Sequence, residues 1–262
     1  MDIVFIGAGN LATRLSAIMI EQGYNIIQIY SKNLQNAKAL GTSLSCAYTD
    51  DLSQIKDSAD LYIFSVKDTV LQECIQSVKP NKALWVHTAG SIPMSVFESH
   101  IERYGVFYPL QTFSKDKKVN FSNIPFFIEA NSEKDSQLLI NIASRISQDV
   151  RVVSSEQRKY IHLAAVFACN FTNHMYAISA KLLEDHDLPF DVLLPLIQET
   201  ADKVTKMSPV AAQTGPAVRY DENVMDKQLF LLEDNRLKEI YKLLSKSIHT
   251  FATNMSYEQN KL

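Results

Sequence analysis

The first residues able to do recognisable chemistry are Gly7-Ala8-Gly9-Asn10-Leu11-Ala12. They follow the apolar run Ile3-Val4-Phe5-Ile6 and open an amphipathic stretch, Asn10 to Gln22. A Gly-x-Gly-x-x-Ala turn between a strand and a helix is the setting in which this motif binds the pyrophosphate of a dinucleotide. Gly7 then permits the tight turn, Gly9 lets the backbone approach the phosphates, and Ala12 allows close helix–strand packing. Asn10 and Leu11 begin the helix, whose free N–H groups and positive dipole end face the anion. The competing reading, a glycine-rich turn without a ligand, fits the continuing strand–helix alternation less well.

A domain preferring NAD usually presents Asp or Glu at the end of its second strand. Here that strand ends Ile29-Tyr30-Ser31-Lys32-Asn33, with no acid. Ser31 and Lys32 would give charge-assisted hydrogen bonds to a 2′-phosphate, so the expected cofactor is NADP. The alternative for Lys32 is a solvated residue at a helix start. Val66 and Lys67 close the strand expected beside the nicotinamide ribose, and Thr88, in His87-Thr88-Ala89-Gly90-Ser91, lies at the next strand end. Ligands of parallel α/β sheets bind outside these C-terminal strand ends.

Hydride transfer also needs a group to manage a proton. The stretch from His162 to His174 offers His162, Asn170 and Asn173 on an otherwise apolar helix. In a regular α-helix His162 and Asn173 differ by about 20° and Asn170 lies about 80° from His162, a loose polar stripe. The expected roles are His162 as proton donor and Asn170 as orienting amide. The alternative is a satisfied core histidine and an asparagine bonded to backbone. Arg219, after Gly215-Pro216, could clamp a substrate carboxylate, or pair with Asp221 or Glu222. No carboxylate or Cys completes a ligand set around His174, so no metal is expected.

These residues need a scaffold. Ile3 to Ile6, Ile26 to Tyr30, Leu61 to Val66, Ala83 to His87, Gly105 to Tyr108 and Pro125 to Ala130 read as strands. Helical patterns lie between them at Asn10 to Gln22, Asn33 to Leu40, Thr69 to Val78 and Asp135 to Ser147. Nearly all-apolar strands alternating with helices imply a parallel sheet covered on both faces. Asp68 is a plausible N-cap for the third helix. After residue 153 the pattern is helical throughout. Ser154-Ser155-Glu156-Gln157 contains a capping box, opening a helix that could run to about Asp185 as the buried centre of an all-helical domain. Further helices begin after Leu188-Pro189 and fill Asp226 to about Met255. The expected division is 1–153, an NADP-binding α/β Rossmann domain, and 154–262, an all-α domain, to which the resemblance given below assigns substrate binding and dimerisation.

The 262 residues suit two such domains. A formal net charge of −3 gives no electrostatic reason to expect nucleic acid or an anionic membrane, and no apolar run is long enough to span a bilayer. Three scattered cysteines and a start without a basic flank or cleavage site point to a cytoplasmic protein with a small-molecule substrate.

Gly7 to Leu11 and Val66-Lys67-Asp68 resemble the superfamily of pyrroline-5-carboxylate reductases, deazaflavin-dependent NADP reductases, and 6-phosphogluconate and 3-hydroxyacid dehydrogenases. A narrower resemblance spans essentially the whole chain. It is to bacterial Rossmann-like NADP oxidoreductases whose helical half is a domain of unknown function. His87 to Ser91, Tyr108-Pro109-Leu110-Gln111-Thr112-Phe113, His162 to Phe171, and Thr214-Gly215-Pro216 through Arg219 carry it. Tyr108 departs from the histidine expected before Pro-Leu-Gln-Thr-Phe. The Lys–Asn pair of hydroxyacid dehydrogenases is missing, since Val166 stands four residues before Asn170. The resemblance implies an NADP-dependent oxidoreductase acting on a C=O or C=N group, and a homodimer formed through the helical domain. A non-catalytic NADP(H) sensor and a deazaflavin-linked NADP reductase remain as alternatives.

Overall fold

The computed structural model describes residues 1–114 and 119–259; the last three residues of the expected second domain lie outside this range. Strand and helix alternate from the start: β1 (Asp2–Ile6), α1 (Asn10–Glu21), β2 (Asn25–Tyr30), α2 (Leu34–Ser43), β3 (Ala47–Thr49), β4 (Leu61–Phe64) and α3 (Asp68–Ser77). Then follow β5 (Leu84–His87), β6 (Tyr104–Pro109), β7 (Phe126–Ala130), α4 (Glu133–Ser144) and β8 (Val150–Val152). They build one eight-stranded sheet in the order β3-β2-β1-β4-β5-β6-β7-β8. The order reverses between β1 and β4, the position where a crevice opens beyond the strand ends.

Successive side chains of a strand point to opposite faces. Ile3, Phe5, Leu61, Ile63, Leu84 and Val86 therefore enter one core, with Leu15 and Met19 of α1 and Leu139 and Ile142 of α4. Their neighbours Val4, Ile6, Tyr62, Phe64 and Trp85 enter a second core, with Leu71 and Ile75 of α3. Both faces are covered, which is why these strands read as unbroken apolar runs.

Three details correct the sequence-based expectation. The sheet is mixed, because β7 pairs antiparallel with β6 through Gly105↔Ala130 to Pro109↔Phe126. An antiparallel neighbour needs no crossover helix, and the described residues between these strands hold only a 3₁₀ turn, Phe121–Asn123. The three-residue strands β3 and β8 lacked the length to show alternation. Asp68 is the first residue of α3 rather than its cap: Lys67 occupies that position and makes no side-chain cap bond.

Ser154 makes the expected capping box with Gln157, both hydrogen bonds being present. It starts α5 (Ser155–Ala165), which continues as a π-helical segment, Val166–Phe171, and then as α6 (Thr172–Glu184). Between Ser155 and Glu184 only Arg158 is buried. This helix is therefore not the buried centre its composition suggests, and Tyr160, Leu163, Phe167 and Phe171 are exposed on the single chain. The π segment also breaks the uniform 100° step on which the polar stripe was laid out.

By compactness the chain divides into residues 1–173 and 174–262. The strands end near the expected boundary at 153, and the compact unit extends through α5 and the π segment. The second unit contains the rest of α6, α7 (Leu194–Lys206), α8 (Pro209–Ala212), α9 (Pro216–Arg219), α10 (Glu222–Leu231) and α11 (Asn235–Gln259). No helix of the described residues is long and apolar enough to cross a membrane.

The capping box makes a direct prediction. Ser154→Ala should lower unfolding free energy by about 1 kcal/mol, and Ser154→Asp should restore most of it. Urea unfolding followed by circular dichroism measures both.

Candidate active site

The phosphate loop has the geometry the motif implies. Gly7 takes φ +129°, closed to ordinary side chains, and a Cβ there would collide with the Ser65 carbonyl of the neighbouring strand end. The Gly7 N–H donates to the Tyr30 carbonyl at 2.8 Å, fixing the turn against β2. At Gly9 a Cβ would meet nothing within 4 Å, so this side of the loop is open. No side chain caps α1. Ala12 is fully buried against the sheet, its expected packing role. An uncapped helix N-terminus facing open space across a glycine fits a dinucleotide pyrophosphate.

A pocket of about 430 Å³ continues from this loop. Its wall includes Gly9, Asn10 and Leu11, the β4 end from Ser65 to Asp68, and Thr88, Ala89 and Gly90 after β5. Tyr108 of β6, Gln111, Phe113 and His162 of α5 complete its polar and aromatic side. Six cofactor residues expected from sequence are thus together: Gly9, Asn10, Leu11, Val66, Lys67 and Thr88. The Asn10 amide donates to the Phe113 carbonyl at 2.9 Å, tying the loop after β6 to α1. Asp68 accepts the Ser91 hydroxyl, linking the ends of β4 and β5. Ser31 and Lys32 follow β2, where the Ser31 hydroxyl accepts the Asn33 N–H and Asn33 caps α2. Lys32 is exposed and lies close enough to Cys74 of α3 to act on its thiol.

The group sequence reasoning missed as a partner is Tyr108. Its hydroxyl lies 2.9 Å from His162 Nδ1. The rings meet edge-on, with centroids 6.1 Å apart. Burial pushes the Tyr108 phenol up to about 12; the Arg158 charge opposes this and Asp68 adds to it. His162 in turn lies against Gly90, where a Cβ would come within 2.5 Å of Nδ1 and 2.9 Å of the His162 Cβ. Fifty-four residues separate the two rings. Tyr108 was visible only as the departure from an expected histidine.

One turn before His162, Arg158 is fully buried. Its guanidinium donates to Glu129 of β7 and to the Ile92 carbonyl, each at 2.5 Å. The Ser155 hydroxyl donates to Glu129 at 2.7 Å and accepts the Met94 N–H at 2.9 Å. This network fastens the first turn of α5 to the sheet and to the segment after β5. Nothing in the sequence distinguished Arg158 from the charged residues Glu156 and Lys159 beside it.

Asn170 falls in the π segment, is exposed, and is not among the residues lining the pocket. Arg219 belongs to the second unit, exposed at the end of α9. Among the described residues it makes no salt bridge, and Asp221, one of its expected partners, caps α10 by accepting the Val224 N–H.

Two family models match the chain. Residues 2–88 match the NADP oxidoreductase, coenzyme F420-dependent family, and residues 124–248 match a domain of unknown function, DUF2520. A solved structure described as a putative NADP oxidoreductase from Bacteroides fragilis is 52% identical. The match covers 95% of this chain and 98% of that one, with a TM-score of 0.89. The chain belongs to this family of two-domain NADP oxidoreductases. No curated protein shows a significant sequence match. The fold is shared more widely. A pyrroline-5-carboxylate reductase from Streptococcus pyogenes superposes at TM-score 0.63 with 13% identity, over 95% of this chain and 98% of that one. A reductive aminase from Aspergillus terreus, in complex with NADPH and ethyl levulinate, does so at 0.73 with 11% identity, over 97% and 94%. The protein is an oxidoreductase of the nicotinamide-dependent kind.

Beside the pocket, His87 is fully buried, with Nδ1 accepting the Ala89 N–H and Nε2 without a hydrogen-bond partner within 3.5 Å among the described residues. Burial, reinforced by the Arg158 charge, lowers its pKa from 6.5 to about 3. Its neutral form contributes stability present above the unfolded pKa and lost as pH falls. Unfolding free energy should therefore decline from about pH 6.5 towards pH 3 with a contribution of up to about 1.4 kcal/mol per pH unit. His87→Leu should flatten that slope in acid urea titrations; an unchanged slope would contradict the assignment.

Proposed function

We propose that this oxidoreductase uses NADP(H) to transfer a hydride to or from a small-molecule C=O or C=N group. The observation carrying the reading is the single pocket in which the phosphate loop and the β4 and β5 ends meet the Tyr108–His162 pair. When bound, the nicotinamide supplies or accepts the hydride. The chain's own residues hold the dinucleotide at Gly7 to Ala12, wall the reacting region with Val66, Lys67 and Thr88, and manage the accompanying proton through His162. His162 is held in place by the buried Arg158–Glu129 pair one turn away.

NADP rather than NAD follows from the chemistry after β2. Ser31 and Lys32 offer a hydroxyl and an exposed cation, and no carboxylate occupies the end of that strand. A phosphate dianion gains from both, whereas the bare ribose hydroxyls lose the acceptor they would otherwise use. The chain is further proposed to act as a cytoplasmic homodimer through its helical unit, where Phe230 (89% exposed), Leu231 and Leu243 are left in water. Sedimentation velocity tests the mass.

The reading is tested by NADPH oxidation with a panel of ketones and cyclic imines. Binding of NADPH without turnover of any compound would favour a cofactor sensor, and reduction of a deazaflavin would favour the other alternative. Lys32→Glu and Ser31→Asp should weaken NADPH by about tenfold or more, near 1.4 kcal/mol, while leaving NADH within about twofold. Fluorescence titration measures both, and equal losses would refute the assignment of this strand end.

A further inference from the structure

We propose that the Tyr108 hydroxyl hands the proton to the substrate heteroatom and that His162 recharges it. This rests on the oxidoreductase reading above and deepens it. Both residues line the pocket. Nδ1 of His162 is committed to the phenol at 2.9 Å, and among the described residues Nε2 has no hydrogen-bond partner. The imidazole is half-buried, whereas Tyr108 is only 8% exposed. The phenol thus sits between a ring that can exchange protons with water and the inner pocket. Its raised pKa keeps the hydroxyl protonated across the working pH range, so a hydrogen is always present to give. Gly90 on one side and the Arg158 anchor one turn earlier hold the imidazole in register with it.

In the reducing direction the carbon of C=O or C=N gains a hydride from the reduced nicotinamide, and its heteroatom takes the Tyr108 hydroxyl proton. The Tyr108 oxygen accepts the Nδ1 proton of protonated His162, so no phenolate accumulates. His162 is left neutral with its hydrogen on Nε2 and Nδ1 accepting the renewed Tyr108 O–H; after product leaves, water in the emptied pocket protonates the Tyr108 oxygen as its own hydrogen passes to Nδ1. The oxidising direction runs the same transfers backwards.

Tyr108→Phe and His162→Gln, singly and together, provide the test. NADPH affinity is read by fluorescence, kcat and KM with the ketone and imine panel, and the His162 ring nitrogens by their NMR chemical shifts in the free protein. Tyr108→Phe should leave NADPH affinity and KM within about twofold, lower kcat about 100-fold, and change the His162 Nδ1 chemical shift through loss of the hydrogen bond. The double variant should be no slower than the slower single one, as for groups acting in one relay. If Tyr108→Phe keeps kcat within about threefold while His162→Gln loses it, the imidazole gives the proton directly. That result overturns the proposal and leaves the oxidoreductase reading intact. Unchanged His162 ring-nitrogen chemical shifts in Tyr108→Phe overturn the contact itself. Wild-type protein that binds NADPH and reduces nothing in the panel overturns reading and proposal together.

Discussion

A guanidinium withdrawn from water holds this site in shape. Arg158 is completely buried, and its charge is balanced by Glu129, the Ile92 carbonyl and the Ser155 hydroxyl. Among the described residues its Nε has no hydrogen-bond partner. A buried pair of this kind is weak evidence for stability, because desolvation offsets much of the attraction, yet removing one partner costs about 3–5 kcal/mol. Its value here is positional. Three segments distant in sequence, β7, the turn after β5 and the start of α5, can satisfy these groups in only one arrangement. That arrangement puts the next turn of α5, and with it His162, over Gly90 and beside Tyr108. The same charge acts on both neighbours, opposing the rise at Tyr108 and deepening the fall at His87.

The cofactor half of the site was legible because its signals are local. A tight turn, a close backbone approach and a helix N-terminus demand particular residues at fixed spacing, and Gly7 to Ala12 supply them within six positions. The apolar strands were equally plain, since burial on both faces leaves no polar register to obscure them. The division between the two cores, with alternate side chains of β1, β4 and β5 going opposite ways, follows directly from the strand period.

The Tyr108–His162 side of the pocket was not legible, and the reason is distance along the chain. His162 could be picked out as polar on an apolar helix, but its partner lies on β6 and is joined to it only by the fold. Arg158 looked like any charged residue near a helix start. Asp68 read as a cap because that is the common fate of an aspartate before a helix; it instead meets Ser91 across the mouth of the sheet. The stripe of His162, Asn170 and Asn173 assumed an unbroken α-helix. The π segment changes the pitch between the first of these residues and the other two, and Asn170 stands outside the pocket.

Gly90 carries one more consequence. The nearest atoms to the Cβ it lacks include the His162 Cβ, which is held by the helix backbone and cannot swing aside as a side-chain tip would. Positions 90 and 162 therefore share a fixed volume. Evolution can trade that volume between them but cannot enlarge one alone, so within the family a bulkier residue at 90 should accompany a smaller one at 162. The imidazole fits where it does because position 90 carries no side chain. The emptiness at position 90 is as much a part of the active-site inheritance as the ring that fills it.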